Sequence, residues 1–253
     1  MCVIFYQTKD NTLFTYEEIK NAAKTNPHGM GWMANVNGII KYKKGYFNVD
    51  EFYKDYLSLR KEKGLVDIAL HFRIGTGSAI DIANCHPFPI SSVPKRIKSA
   101  QGHCDIGVMM NGIIGSSTKE YSDTALYVMN NLKNYYNHDR RFFLHFNERT
   151  EMLFENEIYG CRFVLMSKDG TRLFGTGWSK YEDKGFVSNR YWIPKKISYD
   201  SYDWYSYMYG DNDCSRTYKS YDEWCVSKSK RFSKKTKEGR HKSYIDELME
   251  GVV

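Results

Sequence analysis

A chain of 253 residues, 42% apolar and 16% aromatic, is long enough to bury one substantial core. No stretch approaches the eighteen apolar residues of a membrane-spanning helix, and the first residues lack the charged-then-apolar form of an export signal, so no membrane partner is expected. The six cysteines follow no disulfide-scaffold spacing, which points to a reduced, cytoplasmic setting, and the net charge of +7 equals the surplus of one late segment.

Residues 1–194 alternate strand and helix signals. Cys2 opens a β-prone run that continues Val3, Ile4, Phe5, Tyr6. Thr15, with Glu18 three residues on, has the form of a capping box, and Ile19, Ala22 and Ala23 carry a helix to about Lys24, stopped by Asn26-Pro27. Asn37-Gly38 lies between two apolar runs and predicts a hairpin. A second helix is expected over 50–63, with Phe52, Tyr53, Tyr56 and Leu57 on one face and Gly64 as its stop. Strands are expected over 66–72 and 106–114, the latter with a turn at Asn111-Gly112. Ser122 can cap a third helix carrying Ala125, Leu126, Met129 and Leu132. A hairpin turning at Asp169-Gly170 and a strand-like piece over 185–192 complete this part.

After Pro194 the composition changes. Tyr199, Tyr202, Trp204, Tyr205, Tyr207 and Tyr209 alternate with polar residues, and then Lys228, Lys230, Arg231, Lys234, Lys235, Lys237, Arg240 and Lys242 face only Glu238. Residues 195–253 therefore read as an appendage to a domain over 2–194. Its basic half is either a solvated stretch or a surface for nucleic acid.

Cys2 is a candidate nucleophile. Removal of Met1 would leave its thiol beside a free α-amine, whose pKa of roughly 7.7–8.0 suits a base at neutral pH. Four further segments carry chemistry: Asn26-Pro27-His28-Gly29-Met30-Gly31; His71-Phe72-Arg73-Ile74-Gly75-Thr76-Gly77 with Asn84-Cys85-His86-Pro87-Phe88; Met110-Asn111-Gly112; and Ser122-Asp123-Thr124. Arg73 is a planar multi-donor cation suited to a carboxylate, with the Thr76 hydroxyl nearby, and Asp123 suits an ammonium. An Asn side-chain amide and a glycine peptide N–H are the donors an oxyanion needs. Each residue has a plainer reading: Arg73 and Asp123 as a structural ion pair, Asn111-Gly112 as a hairpin turn, Gly29 and Gly31 as strand spacing, Asp123 as helix capping. Cys85-His86 and His103-Cys104 lack the ligand gaps of a zinc site, so neither metal nor cofactor is expected.

In this order and spacing the segments resemble the glutaminase domain of class II glutamine amidotransferases, N-terminal-nucleophile hydrolases with a cysteine nucleophile. The resemblance spans about residues 2–192. It implies an α/β (α+β) fold, a four-layer αββα sandwich. It also implies Cys2 as nucleophile, Asn111 and Gly112 as the oxyanion hole, Arg73 and Thr76 on the α-carboxylate of L-glutamine and Asp123 on its α-amine. The expected reaction gives glutamate and ammonia through a Cys2 thioester. Two positions depart from the family pattern: Met110 stands where His is common before Asn-Gly, and Ile74 where an aromatic often follows the Arg. No synthase domain is recognisable, so a separate ammonia-accepting synthase subunit is the expected partner. Two alternatives remain: an amide hydrolase acting on another γ-glutamyl or peptide-like substrate through Cys2, and a non-catalytic binding module with a nucleic-acid-binding tail.

Overall fold

The computed structural model describes residues 1–194; the expectations for the appendage lie outside the described residues. The described elements are β1 (Val3–Thr8), α1 (Tyr16–Thr25), β2 (Met30–Val36), β3 (Ile39–Tyr46), α2 (Val49–Arg60), β4 (Leu65–Phe72), β5 (Phe88–Pro89), α3 (Pro94–Ile97), β6 (Gln101–Cys104), β7 (Ile106–Asn111), α4 (Asp123–Tyr127), α5 (Lys133–His138), α6 (Glu148–Glu157), β8 (Arg162–Ser167), β9 (Gly170–Phe174), β10 (Ser179–Lys180) and β11 (Phe186–Val187). They make a mixed α/β fold with two antiparallel sheets. One sheet runs β10-β11-β1-β4-β2-β3-β6 and the other β5-β7-β8-β9.

Local chemistry sets many of these boundaries. The Thr15 side chain accepts the Glu18 N–H while the Glu18 carboxylate accepts the Thr15 N–H, a complete capping box at α1. Asn37 and Gly38 take positive φ values of 53° and 76°, the backbone a tight hairpin requires, and they join β2 to β3. The second helix ends at Arg60, short of the expected Lys63, because Lys61 and Glu62 fold back in a tighter turn onto Ser58 and Leu59. The strand expected over 106–114 stops at Asn111: Gly112 adopts φ +148° and Ile113 is exposed, so Asn111-Gly112 is a strand exit, with no returning strand before α4. The third helix starts at Ser122, whose Oγ accepts the Ala125 N–H, but a π-turn over Val128–Leu132 rotates its apolar stripe. Tyr127 and Val128 are buried there, while Leu126 and Met129 are only partly so. The expected strand over 185–192 is reduced to β11.

Side-chain alternation divides the core into three clusters. Val3 and Phe5 of β1, Trp32 and Ala34 of β2 and Leu70 and Phe72 of β4 pack with Ile19 and Ala22 of α1 and Phe52, Tyr56 and Leu59 of α2. Val108 and Met110 of β7 and Phe163 and Leu165 of β8 pack with Val128, Leu132 and Phe154. The opposite faces meet each other: Ile4, Met33, Ile40 and Ala69 from the larger sheet against Met109, Val164 and Met166 from the smaller. Period-2 counting puts Cys2 with Ile4, His71 with Ala69 and Asn111 with Met109, so all three side chains point into the layer between the sheets.

Candidate functional site

At one end of that layer, four chain segments distant in sequence meet. Cys2 precedes β1, Arg73 follows β4, Gly112 follows β7 and Asp123 opens α4. Cys2, Arg73, Thr76, Gly112 and Asp123 line a single crevice together with Ile74, Gly75, Ser78, His86, Ser117 and Thr124. Asn111, the sixth residue picked out from sequence, is fully buried between two residues of that wall, Met110 and Gly112. The crevice is narrow and partly open to solvent, with free space of about 20 Å³.

The Cys2 sulfur lies 3.4 Å from the Ile74 N–H nitrogen and 3.5 Å from the Ile74 carbonyl oxygen. Burial pushes the thiol pKa up, opposed by the Ile74 N–H and the positive chain terminus. At neutral pH the group is a thiol, so nucleophilic use requires a base. The main chain of Cys2 is held by Asn189, whose amide donates to the Cys2 carbonyl at 2.7 Å.

Arg73 is buried, and its guanidinium donates to Ser78 Oγ at 2.7 Å and to the Ala79 carbonyl at 3.1 Å. Asp123 accepts the Ile114 N–H at 3.0 Å on one carboxylate oxygen and the Thr124 N–H at 2.8 Å on the other. Among the described residues Arg73 and Asp123 form no ion pair, so a buried cation and a carboxylate face one crevice without neutralising each other. The Asn26–Gly31 segment fixes the Arg73 loop: His28 N–H donates to the Arg73 carbonyl, Arg73 N–H to the Gly29 carbonyl, and Gly75 N–H to His28 Nδ1 at 2.8 Å. Gly29 is required here, because at its φ of +115° a Cβ would stand 2.3 Å from the Cys85 sulfur. Cys85 is buried and faces the His28 and Asp81 carbonyls. No group of three or more His, Cys, Asp or Glu side chains suited to a metal occurs among the described residues.

Three features were missed from sequence. The His71 and His86 rings stack with centroids 4.0 Å apart, both buried, with His86 in the crevice wall and His71 behind it. His71 Nε2 pairs with the Met110 carbonyl, whereas His71 Nδ1 and both His86 nitrogens lack a partner among the described residues. Burial holds both imidazoles neutral, His71 with a pKa lowered to about 3 and His86 well below its ordinary value. Lys44 is buried beside this pair, donating to the Ala83 and Ile97 carbonyls with its ammonium 4.0 Å over the Phe88 ring. Third, Ser188 and Asn189 grip both Asn111 and Cys2. A polar pair in a strand-like stretch was the only available signal for it.

No protein-family model matches the chain, and no curated protein matches it. Among the described residues no helix is long and apolar enough to cross a membrane.

Proposed function

We propose that the chain is a glutaminase of the class II glutamine amidotransferase type, hydrolysing L-glutamine to glutamate and ammonia. The observation that carries this reading is the convergence on one crevice, at the end of the inter-sheet layer, of a thiol with a guanidinium and a carboxylate that form no ion pair among the described residues. Those are the groups a zwitterionic amino acid with a side-chain amide demands. The three core clusters agree with a helix–sheet–sheet–helix sandwich of the N-terminal-nucleophile hydrolases.

In this mechanism Met1, which is exposed, is removed and the Cys2 α-amine is freed. The amine takes the thiol proton as sulfur attacks the amide carbon. The tetrahedral oxyanion is held by the Gly112 N–H and the Asn111 amide. Collapse breaks the C–N bond, the amine returns the proton to the leaving nitrogen, and ammonia departs. Water then attacks the thioester, giving its proton to the amine and releasing glutamate and the Cys2 thiol. Arg73 and Thr76 hold the α-carboxylate and Asp123 the α-ammonium. Ammonia freed into water would be protonated, so an acceptor synthase completes the proposal.

The test is glutamate release from L-glutamine by protein whose N-terminal residue is verified by intact mass. Activity with Met1 retained would refute the mechanism, since a peptide nitrogen is no base. Turnover of γ-glutamyl amides in place of free glutamine would favour the broader amide hydrolase.

A further inference from the structure

We infer that Ser188 is a positioning residue that turns the Asn111 amide so that its NH₂ group faces away from Ser188 and stands free for an acceptor oxygen. This rests on the glutaminase reading only for what that oxygen is.

The argument is an accounting of donors and acceptors. Ser188 is fully buried, directly after β11. Its N–H donates to the Ile4 carbonyl at 2.9 Å, and its Oγ accepts the Ile4 N–H at 2.8 Å, so the residue is locked to β1 two positions from Cys2. The same Oγ lies 2.9 Å from one polar end of the Asn111 amide, placed as the nitrogen, while the other end, placed as Oδ1, is buried without a partner among the described residues. A hydroxyl has one proton and two lone pairs, and an amide's oxygen and nitrogen ends are nearly the same shape, so their partners decide the orientation. With nitrogen toward Ser188, the hydroxyl oxygen accepts two bonds, its proton has no assigned acceptor and the Asn111 oxygen is orphaned. A buried orphan of this kind is costly. With the amide turned over, the Ser188 proton goes to the Asn111 oxygen, and the NH₂ alone is left without a partner, one unsatisfied group in place of two. The NH₂ then occupies the unpartnered position, in the inter-sheet layer that Cys2 shares. Ser188 thereby couples the strand that carries the nucleophile to the side chain that meets the developing charge. Asn189, the next residue, holds the Cys2 carbonyl from the same short segment.

The test compares Ser188→Ala, Ser188→Thr, Asn111→Ala and the Ser188→Ala/Asn111→Ala double variant by glutamate release and thermal melting. Ser188→Ala is expected to lower kcat by roughly tenfold or more, short of the roughly hundredfold expected for Asn111→Ala, with KM within about twofold. Ser188→Thr, which keeps the hydroxyl, should recover most of the loss. In the Asn111→Ala background, Ser188→Ala should change kcat by less than about twofold, because the group it orients is gone. An equal kcat loss in both backgrounds overturns the inference. A substrate-free readout separates it from the glutaminase reading: in isotope-labelled wild-type protein the Asn111 NH₂ protons should show no strong cross-peak to the Ile4 amide proton. A strong cross-peak would place the NH₂ on Ser188 and overturn the inference even if glutamine is not turned over. Absence of that cross-peak in a protein inactive on glutamine would leave the orientation standing and refute the function.

Discussion

Acidification offers the sharpest test of the stacked pair His71 and His86. Each imidazole is neutral in the folded state, because burial opposes its charged form and the Arg73 cation adds to the effect. In the unfolded chain each returns to an ordinary value of about 6.5. The unfolded state therefore binds more protons than the folded state below about pH 6.5, and stability must fall as pH falls. The window closes near pH 3, where folded His71 itself titrates. Integrating the linkage relation from pH 7 to pH 5 gives about 2 kcal/mol per histidine, or about 4 kcal/mol for the pair. Near pH 5.5, unfolding should take up about two protons through these residues.

Asp67 acts in the opposite direction, because burial raises its carboxyl pKa and the folded state then binds the extra proton as pH falls. Lys44 adds to the histidine effect only near pH 7. Glu18 and Asp55 are held below their ordinary values; burial opposes this, but bonds from Lys184 and Thr15, and from Lys43 and Tyr46, outweigh it. Their contribution is present above about pH 4.5 and lost below it. The assay is urea unfolding of the full chain at half-unit steps from pH 7 to pH 5, repeated on His86→Phe, which keeps an aromatic ring against His71 and Phe88. The variant should lose about half of the wild-type slope. A wild-type chain whose stability changes by less than about 1 kcal/mol over this range would refute the neutral buried pair.

Cys2→Ala should abolish glutamate release while the melting temperature stays within a few degrees, and a glutamine-like diazo-ketone should label Cys2 alone, as mass mapping would show. Arg73→Ala and Asp123→Asn should each raise KM by roughly ten- to a hundredfold, the effect of losing a charge-assisted contact of about 1.5–3 kcal/mol, whereas Asn111→Ala should act on kcat; steady-state kinetics showing the reverse split would mean the pocket is assigned backwards. Lys44, with a pKa that burial lowers to about 7, should make stability rise with pH between about 7 and 10.5, since the unfolded lysine binds the extra proton there. Lys44→Met should remove that rise in pH-dependent melting and cost about 1–3 kcal/mol, because the Ala83 and Ile97 carbonyls lose their donor.

The features legible in the sequence are those whose cause is local. Thr15 and Glu18 cap α1 through bonds spanning three residues, and Asn37-Gly38 turns because those residue types tolerate positive φ. Asn111-Gly112 misled in one respect. The apolar Ile113 and Ile114 extended the strand pattern, but the Gly112 backbone ends it, and a Cβ there would stand 2.6 Å from the Cys161 sulfur. Helix α6 gave almost no signal, because Phe154 is its only buried residue. The Ser188–Asn189 grip was invisible for a different reason. Its partners Cys2, Ile4 and Asn111 lie 77 to 187 residues away, and no spacing rule reaches across such distances. Likewise, the stacking of His71 on His86 exists only once the two sheets have closed over them.

The site divides into parts that are fixed and parts that must yield. Cys2 and Asn111 sit at strand ends tied to Ser188 and Asn189, where movement would break bonds between strands. The Arg73 guanidinium is instead satisfied by Ser78 and Ala79 of its own loop, and Ser117 presses so closely on that loop that a Cβ on Gly77 would come within 2.3 Å of its Oγ. The crevice is narrow and partly open to solvent, so under the proposed function a bound carboxylate would take the place of these loop contacts. The exchange favours an anion. A guanidinium can offer a carboxylate two parallel bonds in fork geometry, together with an attraction between opposite charges that a neutral hydroxyl or carbonyl lacks. An uncharged amide lacking an α-carboxylate would have to open the same loop without that compensation. Under the proposed function, Arg73 would favour the charged end of a free amino acid, while the fixed strand ends would keep the Cys2 thiol and the Asn111 and Gly112 donors in register.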